Sequence, residues 1–254
     1  MVPPFLAYYG VLAGNTTLIS EAHNQIRLYR KYLKEDNSGL WMHVVMGSDF
    51  EDRGHWTTGN GWAAAGMLRV LATIQHSQYS DDFSDERSEL KDWVNEIHAS
   101  MYDKIVRHCL KSIASLLTAL FQDDTAIFRN YADNGKTFYD AAGTALLASS
   151  VYRTAVLTGD LDHVVRAEWC RKSIVNLDNG HIDSDGWLTP VVNPHSFGNE
   201  GEHSPEGQAF VLMMQAAWSD WEAAGAPGND AVGLRYYEPW GMLVVMVICF
   251  AVML

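Results

Sequence analysis

Residues 139–177 read YDAAGTALLASSVYRTAVLTGDLDHVVRAEWCRKSIVNL, and they contain the plan of the whole chain. Tyr139 to Leu157 is apolar and carries the small residues Ala141, Ala142, Gly143 and Ala145, so it predicts a helix buried on every side. Gly159-Asp160 interrupts the run, and Leu161 to Leu177 is amphipathic, a second helix with one face to water. The stretch is a helical hairpin with a buried inner arm and a partly exposed outer arm.

The same plan recurs on both sides. Val2 to Ala13 is almost wholly apolar and ends at Gly14, and Asn15-Thr16-Thr17 opens an amphipathic helix to about Glu35, with Leu18, Ile19, Ala22, Ile26, Tyr29 and Leu33 at helical spacing. From Gly61 an apolar run continues through Trp62, Ala63, Met67, Leu71 and Ile74, breaks near Ser80-Asp81-Asp82, and gives way to a long polar-faced helix capped by Ser84. A fourth inner helix is expected from Pro205 to Ala224. Inner helices therefore begin near 2, 61, 139 and 205, about three and a half hairpins, and such pairs close around a core or stack as a solenoid. The fold class is all-α. The turns inside a hairpin are short, whereas the loops before the inner helices are long and rich in Gly, Trp, His and Asp. Function belongs in those loops, which a rigid scaffold gathers at the helix N-termini.

Composition narrows the classes. The 254 residues hold 18 Lys plus Arg against 31 Asp plus Glu, a formal charge of -13, which excludes a basic footprint for nucleic acid. With 48% hydrophobic residues and 19% charged, the chain can bury a large core. Cys109, Cys170 and Cys249 are too few and scattered for a disulfide framework or a zinc site, and no metal is expected. No signal peptide is visible at the N-terminus. At the other end, 240–254 is free of charge and follows Tyr236, Tyr237 and Trp240. It is short for a membrane span. It reads as an apolar C-terminal helix that acts as a short anchor, with Gly228, Asn229 and Asp230 as a glycolipid-anchor site, or as a buried last helix or a misread gene end. The expected domains are a partial helical barrel over 1–225, a linker over 226–239 and the tail over 240–254. The run from His108 to Gln122 is longer and more apolar than its helix needs and reads as an insertion or as retained noncoding sequence.

The loop from Gly39 to Trp62 is densest in chemistry, with Trp41, His43, Asp49, Glu51, Asp52, Arg53, His55 and then Trp56-Thr57-Thr58-Gly59-Asn60-Gly61-Trp62. Two glycines bring backbone amides near a ligand at the start of an inner helix, and two indoles flank them, which suits a sugar bearing a carboxylate. The alternative is a glycine-rich helix start with two core tryptophans. Asp140 and Glu206 both begin inner helices; they read as a carboxylate pair across a sugar or, more simply, as helix caps. His195 and His203 lie in the last loop without metal-ligand spacing, and Ser204 lacks the surroundings of a hydrolase nucleophile.

Leu40-Trp41-Met42-His43, followed by Trp56-x-x-Gly59-Asn60-Gly61-Trp62, resembles the unsaturated rhamnogalacturonyl hydrolases of glycoside hydrolase family 105, kin of the unsaturated glucuronyl hydrolases of family 88. Met1 to Glu35, Asp140 to Ala145 and Ser204 to Phe210 resemble the fungal branch of that group. The resemblance implies an (α/α)6 barrel of six hairpins, here partial. It also implies an oligosaccharide partner from pectin, no cofactor, and a sugar subsite lined by His43, Trp56, Asn60 and Trp62. In that family an aspartate protonates the C4=C5 enol ether of an unsaturated uronic acid and water adds at C5. By the resemblance this acid falls ahead of Met1, so the fragment is expected to be inactive, with a non-catalytic carbohydrate-binding remnant or a decayed structural helical protein as the alternatives. The bacterial pattern has Arg where Thr58 stands, to hold the uronate carboxylate, and a threonine cannot make that bidentate pair. The sequon at Asn15 and the acidic charge suggest a secreted or cell-surface protein, with a cytoplasmic enzyme acting on imported oligosaccharides as the alternative.

Overall fold

The computed structural model describes residues 2–114, 126–176 and 180–228. Seven helices carry the described chain: α1 (Val2–Leu12), α2 (Thr16–Leu33), α3 (Thr57–Gln75), α4 (Ser84–Ala114), α5 (Ala141–Thr158), α6 (Val164–Val175) and α7 (Pro205–Ala223). A short hairpin of β1 (Val191–Asn193) and β2 (Ser196–Gly201) precedes α7. Strand content was not foreseen in this loop. Its register pairs Val191 with Gly201 and Asn193 with Ser196, with an irregularity between them that bends the hairpin.

α1, α3, α5 and α7 form the inner row, each packed on the next, while α2, α4 and α6 pack outside α1, α3 and α5 respectively. The result is three and a half hairpins of an (α/α)6-type barrel, as the repeating pattern predicts. α5 sits at the centre and is buried on nearly all faces, so its side chains are mostly apolar or small, with Arg153 reaching out to Asp220 of α7. Leu146 and Leu147 are fully buried there, and each stabilises the fold by about 2 kcal/mol. Outer α4 shows the complementary pattern, with Leu90, Val94, Ile97 and Met101 buried at helical spacing.

Local chemistry sets the boundaries. Asn15 takes an extended conformation and accepts hydrogen bonds from the amides of Thr17 and Leu18, which starts α2 immediately after the positive-φ turn at Gly14. Gly159, also at positive φ, ends α5. α4 differs from expectation in its cap: a 3-10 turn over Asp81–Phe83 leads directly into Ser84, which is already helical, so no side-chain cap is needed. α3 begins at Thr57, four residues before the predicted start, because Trp56 supplies the extended residue at its head.

α1 leaves Phe5, Tyr8, Tyr9 and Leu12 half to two-thirds exposed on its outward face, where the inner row ends. Among the described residues no helix is long and apolar enough to cross a membrane. The apolar tail 240–254 and most of the linker lie outside the described residues, as does most of the proposed insertion at 108–122.

Candidate functional site

The long loops before α3, α5 and α7 meet at one end of the inner row. Asn130, fully buried, is their junction. Its Oδ1 accepts from Trp56 Nε1 at 2.9 Å, its Nδ2 donates to the Phe197 carbonyl at 2.8 Å, and its carbonyl accepts from the Thr57 amide at 2.8 Å. One asparagine thereby ties the head of α3, the loop before α5 and the β1–β2 hairpin together.

On this junction stands a set of polar groups walled by aromatic rings. His43 Nδ1 lies 2.9 Å from Asp52 Oδ2, and the Tyr131 hydroxyl donates to the same oxygen. Asp52 Oδ1 accepts from the Gly54 amide at 2.9 Å. Burial alone would raise the Asp52 pKa, but the Tyr131, His43 and Gly54 donors outweigh it and hold the carboxyl below its usual range. Asp52 is therefore an anion at neutral pH that orients the imidazole. Burial, reinforced by the Asp52 charge, pushes the Tyr131 phenol above its ordinary value, so it remains a donor. The His43 ring packs on Trp56 at 4.6 Å and edge-on to Phe197 at 4.5 Å, and Phe50 extends the wall at 5.8 Å from Phe197. His43 also lines a groove of about 390 Å³ against α2, together with Tyr29, Tyr32 and Met46. An imidazole with one nitrogen fixed by a carboxylate, beside partly exposed rings, can hydrogen-bond and stack on a sugar. A larger cavity of about 500 Å³ lies near Leu68, Arg69, Arg153 and Met213, toward the other end of α3 and α5 and away from this chemistry.

The remaining sequence candidates separate. Asn60 is buried, and its amide is fully engaged: Oδ1 accepts from the Trp41 amide at 2.9 Å, and Nδ2 donates to the carbonyls of Trp41 and Trp56, both at 3.0 Å. It clamps the loop to the helix and has nothing left for a ligand. Trp62 packs edge-on to Phe210 at 5.1 Å and shares a cavity of about 90 Å³ with Pro3, Pro4, Tyr29 and Trp41. Its ring contacts run to α7 rather than to His43 or Trp56. Gly59 and Gly61 lie inside α3 instead of in a ligand-cradling loop. A Cβ on Gly61 would come 3.0 Å from Leu146 Cδ2, so this glycine serves the close approach of α3 to α5.

Thr58 donates to Asp140 Oδ2 at 2.7 Å. Asp140 is fully buried, caps α5 through the Gly143 amide at 2.8 Å, and has its pKa raised to about 6 by burial, against the opposing effect of the Gly143, Thr58 and Ala142 hydrogen bonds. Glu206 is exposed in the first turn of α7 and accepts from the Ser204 hydroxyl at 3.2 Å. Asp140 thus caps α5 and Glu206 lies in the first turn of α7, and the two do not form a carboxylate pair across a cleft. His203 packs at a tilt on Trp187 at 4.4 Å, and Ser204 caps α7 through the Gly207 amide. Among the described residues no cluster has the makings of a metal site.

The sequence matches the profile of Glycosyl Hydrolase Family 88 over residues 1–206. The chain belongs to glycosyl hydrolase family 88. Its fold is similar to that of a possible family 105 member from Salmonella enterica serovar Paratyphi A, with a TM-score of 0.66 and 19% identity over 84% of this chain and 53% of that one. A possible family 105 member from Klebsiella pneumoniae gives 0.67 and 18%, over 85% and 53%. The unsaturated glucuronyl hydrolase from Bacillus sp. GL1, responsible for the degradation of glycosaminoglycan, gives 0.56 and 12%, over 83% and 54%. The family 88 chain spans about half the length of these solved relatives, and at such identities the likeness is one of fold. No curated protein matches the sequence.

Proposed function

We propose that this family 88 chain forms the sugar-binding half of a site for unsaturated uronic-acid oligosaccharides of the pectin and rhamnogalacturonan class. The observation that carries the reading is the His43, Asp52 and Tyr131 set, walled by Trp56 and Phe197 where the three loops join. The rings offer a stacking face, and the free side of the imidazole offers a hydrogen bond to a hydroxyl or ring oxygen.

The reaction assigned to the whole enzyme is hydration of the C4=C5 double bond. An acid protonates C4 of the enol ether, water adds at C5, and the hemiketal opens with loss of the neighbouring sugar. That step needs a carboxylic acid that holds its proton near neutral pH over the ring. Of the two carboxyls central to the site's framework, Asp52 is held ionised and Asp140 is sealed beneath Thr58, so binding without turnover is the activity proposed for this chain alone. Thr58 directs its hydroxyl to Asp140 and presents no cation to a uronate. Either another cation holds the uronate carboxylate, or the preferred unit within that class is other than unsaturated galacturonyl-rhamnose.

The test is calorimetric titration of the chain with unsaturated digalacturonate, alongside the ultraviolet absorbance of the double bond. Binding that Trp56→Ala weakens by about 1 to 3 kcal/mol, with absorbance unchanged, is the expected result. Steady loss of absorbance would overturn the binding-only assignment, and no heat from either protein would remove the sugar site. We further propose secretion, with a glycan on the exposed Asn15; a homogeneous mass from a eukaryotic secretory host, unmoved by deglycosylation, would contradict it.

A further inference from the structure

We propose that His55, in its protonated form, is a positioning residue that staples the loop leaving α2 to the loop leading into α5 and so sets Trp56 and Tyr131 in the site. The proposal rests on the sugar-site reading only for what the stapled loops are for. The side chain is 6% exposed and lies between two carboxylates from separate loops. Nδ1 stands 2.7 Å from Asp133 Oδ2, and Nε2 stands 3.3 Å from Glu35 Oε2, an ion-pair distance without hydrogen-bond geometry.

Protonation decides what this arrangement can hold. An imidazolium has an N–H on each nitrogen, whereas the neutral ring has one, so on deprotonation one of the two carboxylates faces a lone pair. The contact to Asp133 is the shorter and keeps the proton, and Glu35 is released. The charged groups around the ring are Asp133 from the loop before α5, Glu35 from the end of α2 and Lys104 from α4. The Asp133 hydrogen bond raises the His55 pKa; burial opposes it, the two carboxylate charges add to it, and Lys104 works against them.

The backbone transmits the staple to the site. The Ala132 amide donates to the His55 carbonyl at 2.9 Å, and Trp56 bridges Tyr131 as a strand-like pair. Asp133 and Tyr131 share one turn, and Tyr131 holds Asp52. On the other side, Glu35 bonds through its backbone to Leu40 at 2.9 Å, next to the Trp41 that Asn60 clamps. Losing the Glu35 contact loosens the loop that carries His43.

The experiment is a pH titration of the whole chain with labelled histidine and tryptophan, read by NMR, for the parent, Glu35→Gln and Asp133→Asn. Both carboxylates are nearly half exposed, so these variants retain the fold. The His55 midpoint is expected above the ordinary value of about 6.5 and lower in each variant. The Trp56 indole N–H, identified with Trp56→Phe, is expected to shift with the same midpoint as His55. Unsaturated digalacturonate should bind more weakly above that midpoint in the parent, with a flatter pH profile in Glu35→Gln. A His55 midpoint at or below about 6.5, a midpoint unmoved by both variants, or a Trp56 signal indifferent to it would overturn the staple. A coupled titration in a chain that binds no sugar would sustain the staple and reject the site reading instead.

Discussion

Replacing Asp140 with asparagine is expected to stabilise the protein more at pH 8 than at pH 5, where about half of the effect is already present. Asp140 is fully buried, and burial lifts its pKa from 3.8 to about 6. For an acid raised in the folded state, the native protein binds more protons than the unfolded chain between the two values. Stability therefore falls as pH rises from about 4 to about 6 and stays lower above. Two pKa units at 1.36 kcal/mol each make the ionised carboxylate cost up to about 3 kcal/mol, and local relaxation reduces this to about 1 to 2. The introduced side-chain amide keeps what the carboxylate provides. Its oxygen still caps α5 at the Gly143 amide, and the Thr58 hydroxyl can turn to accept from the new NH2. Urea unfolding of parent and Asp140→Asn at both pH values measures the difference, and Asp140→Ala serves as the control that lacks the cap and should lie about 1 kcal/mol below Asp140→Asn at either pH. Equal loss of stability by Asp140→Asn at pH 5 and pH 8 would refute the argument that a buried, uncompensated charge dominates this site.

Asn60→Ala removes three hydrogen bonds and leaves the Trp41 amide buried without a partner, so urea unfolding should show a loss of about 3 kcal/mol, whatever happens to binding. Gly61→Ala forces a methyl to 3.0 Å from Leu146 and should cost about 1 to 3 kcal/mol, while Gly66→Ala in the same helix meets nothing and should gain about 0.5 to 1 kcal/mol by the same measurement. Trp62→Ala should lower stability by about 3 kcal/mol but leave the affinity for unsaturated digalacturonate within about twofold, unlike Trp56→Ala, when titrated by calorimetry.

The hairpin plan was legible because burial on all sides demands small apolar residues, and α5 and its neighbours obey that demand along their length. Helix ends at Asn15 and Gly159 were legible for the same local reason. The site was harder to read. His43 and Trp56 stood out as chemistry in a loop, but Asn60 and Trp62 carry equal chemical promise in sequence and are consumed by structure. An amide looks the same whether its partners are a sugar or the backbone of Trp41. Tyr131, Asn130 and Phe197 were missed because their partners are distant in sequence: Asn130 lies 74 residues from Trp56 and 67 from Phe197. The available signal was the recurrence of a polar loop before α3, α5 and α7, which says where such residues gather without saying which of them meet. The β1–β2 hairpin escaped because Pro194-His195 joins strands too short for an alternation to register.

The titrating groups combine into a pH window. Asp133 is held below its usual range first by the His55 hydrogen bond, and Asp52, Glu96 and Glu168 by donors that outweigh their burial. Their contributions are present above the ordinary carboxylate values near 4 and are lost as pH falls through the lowered folded values. His55 acts at the other end: its contribution is complete below about 6.5 and is lost as pH rises through its raised folded value. Asp140 subtracts stability between about 4 and 6, so it moves the maximum toward acid. Stability should therefore be greatest between the carboxylate and His55 limbs, with the fall between about pH 4 and 6 removed in Asp140→Asn and the limb below about pH 4 unchanged. A parent whose urea midpoint rises from pH 5 to pH 8 would contradict both the His55 staple and the Asp140 desolvation. A midpoint that falls equally in parent and Asp140→Asn would leave the staple as the source of the alkaline limb.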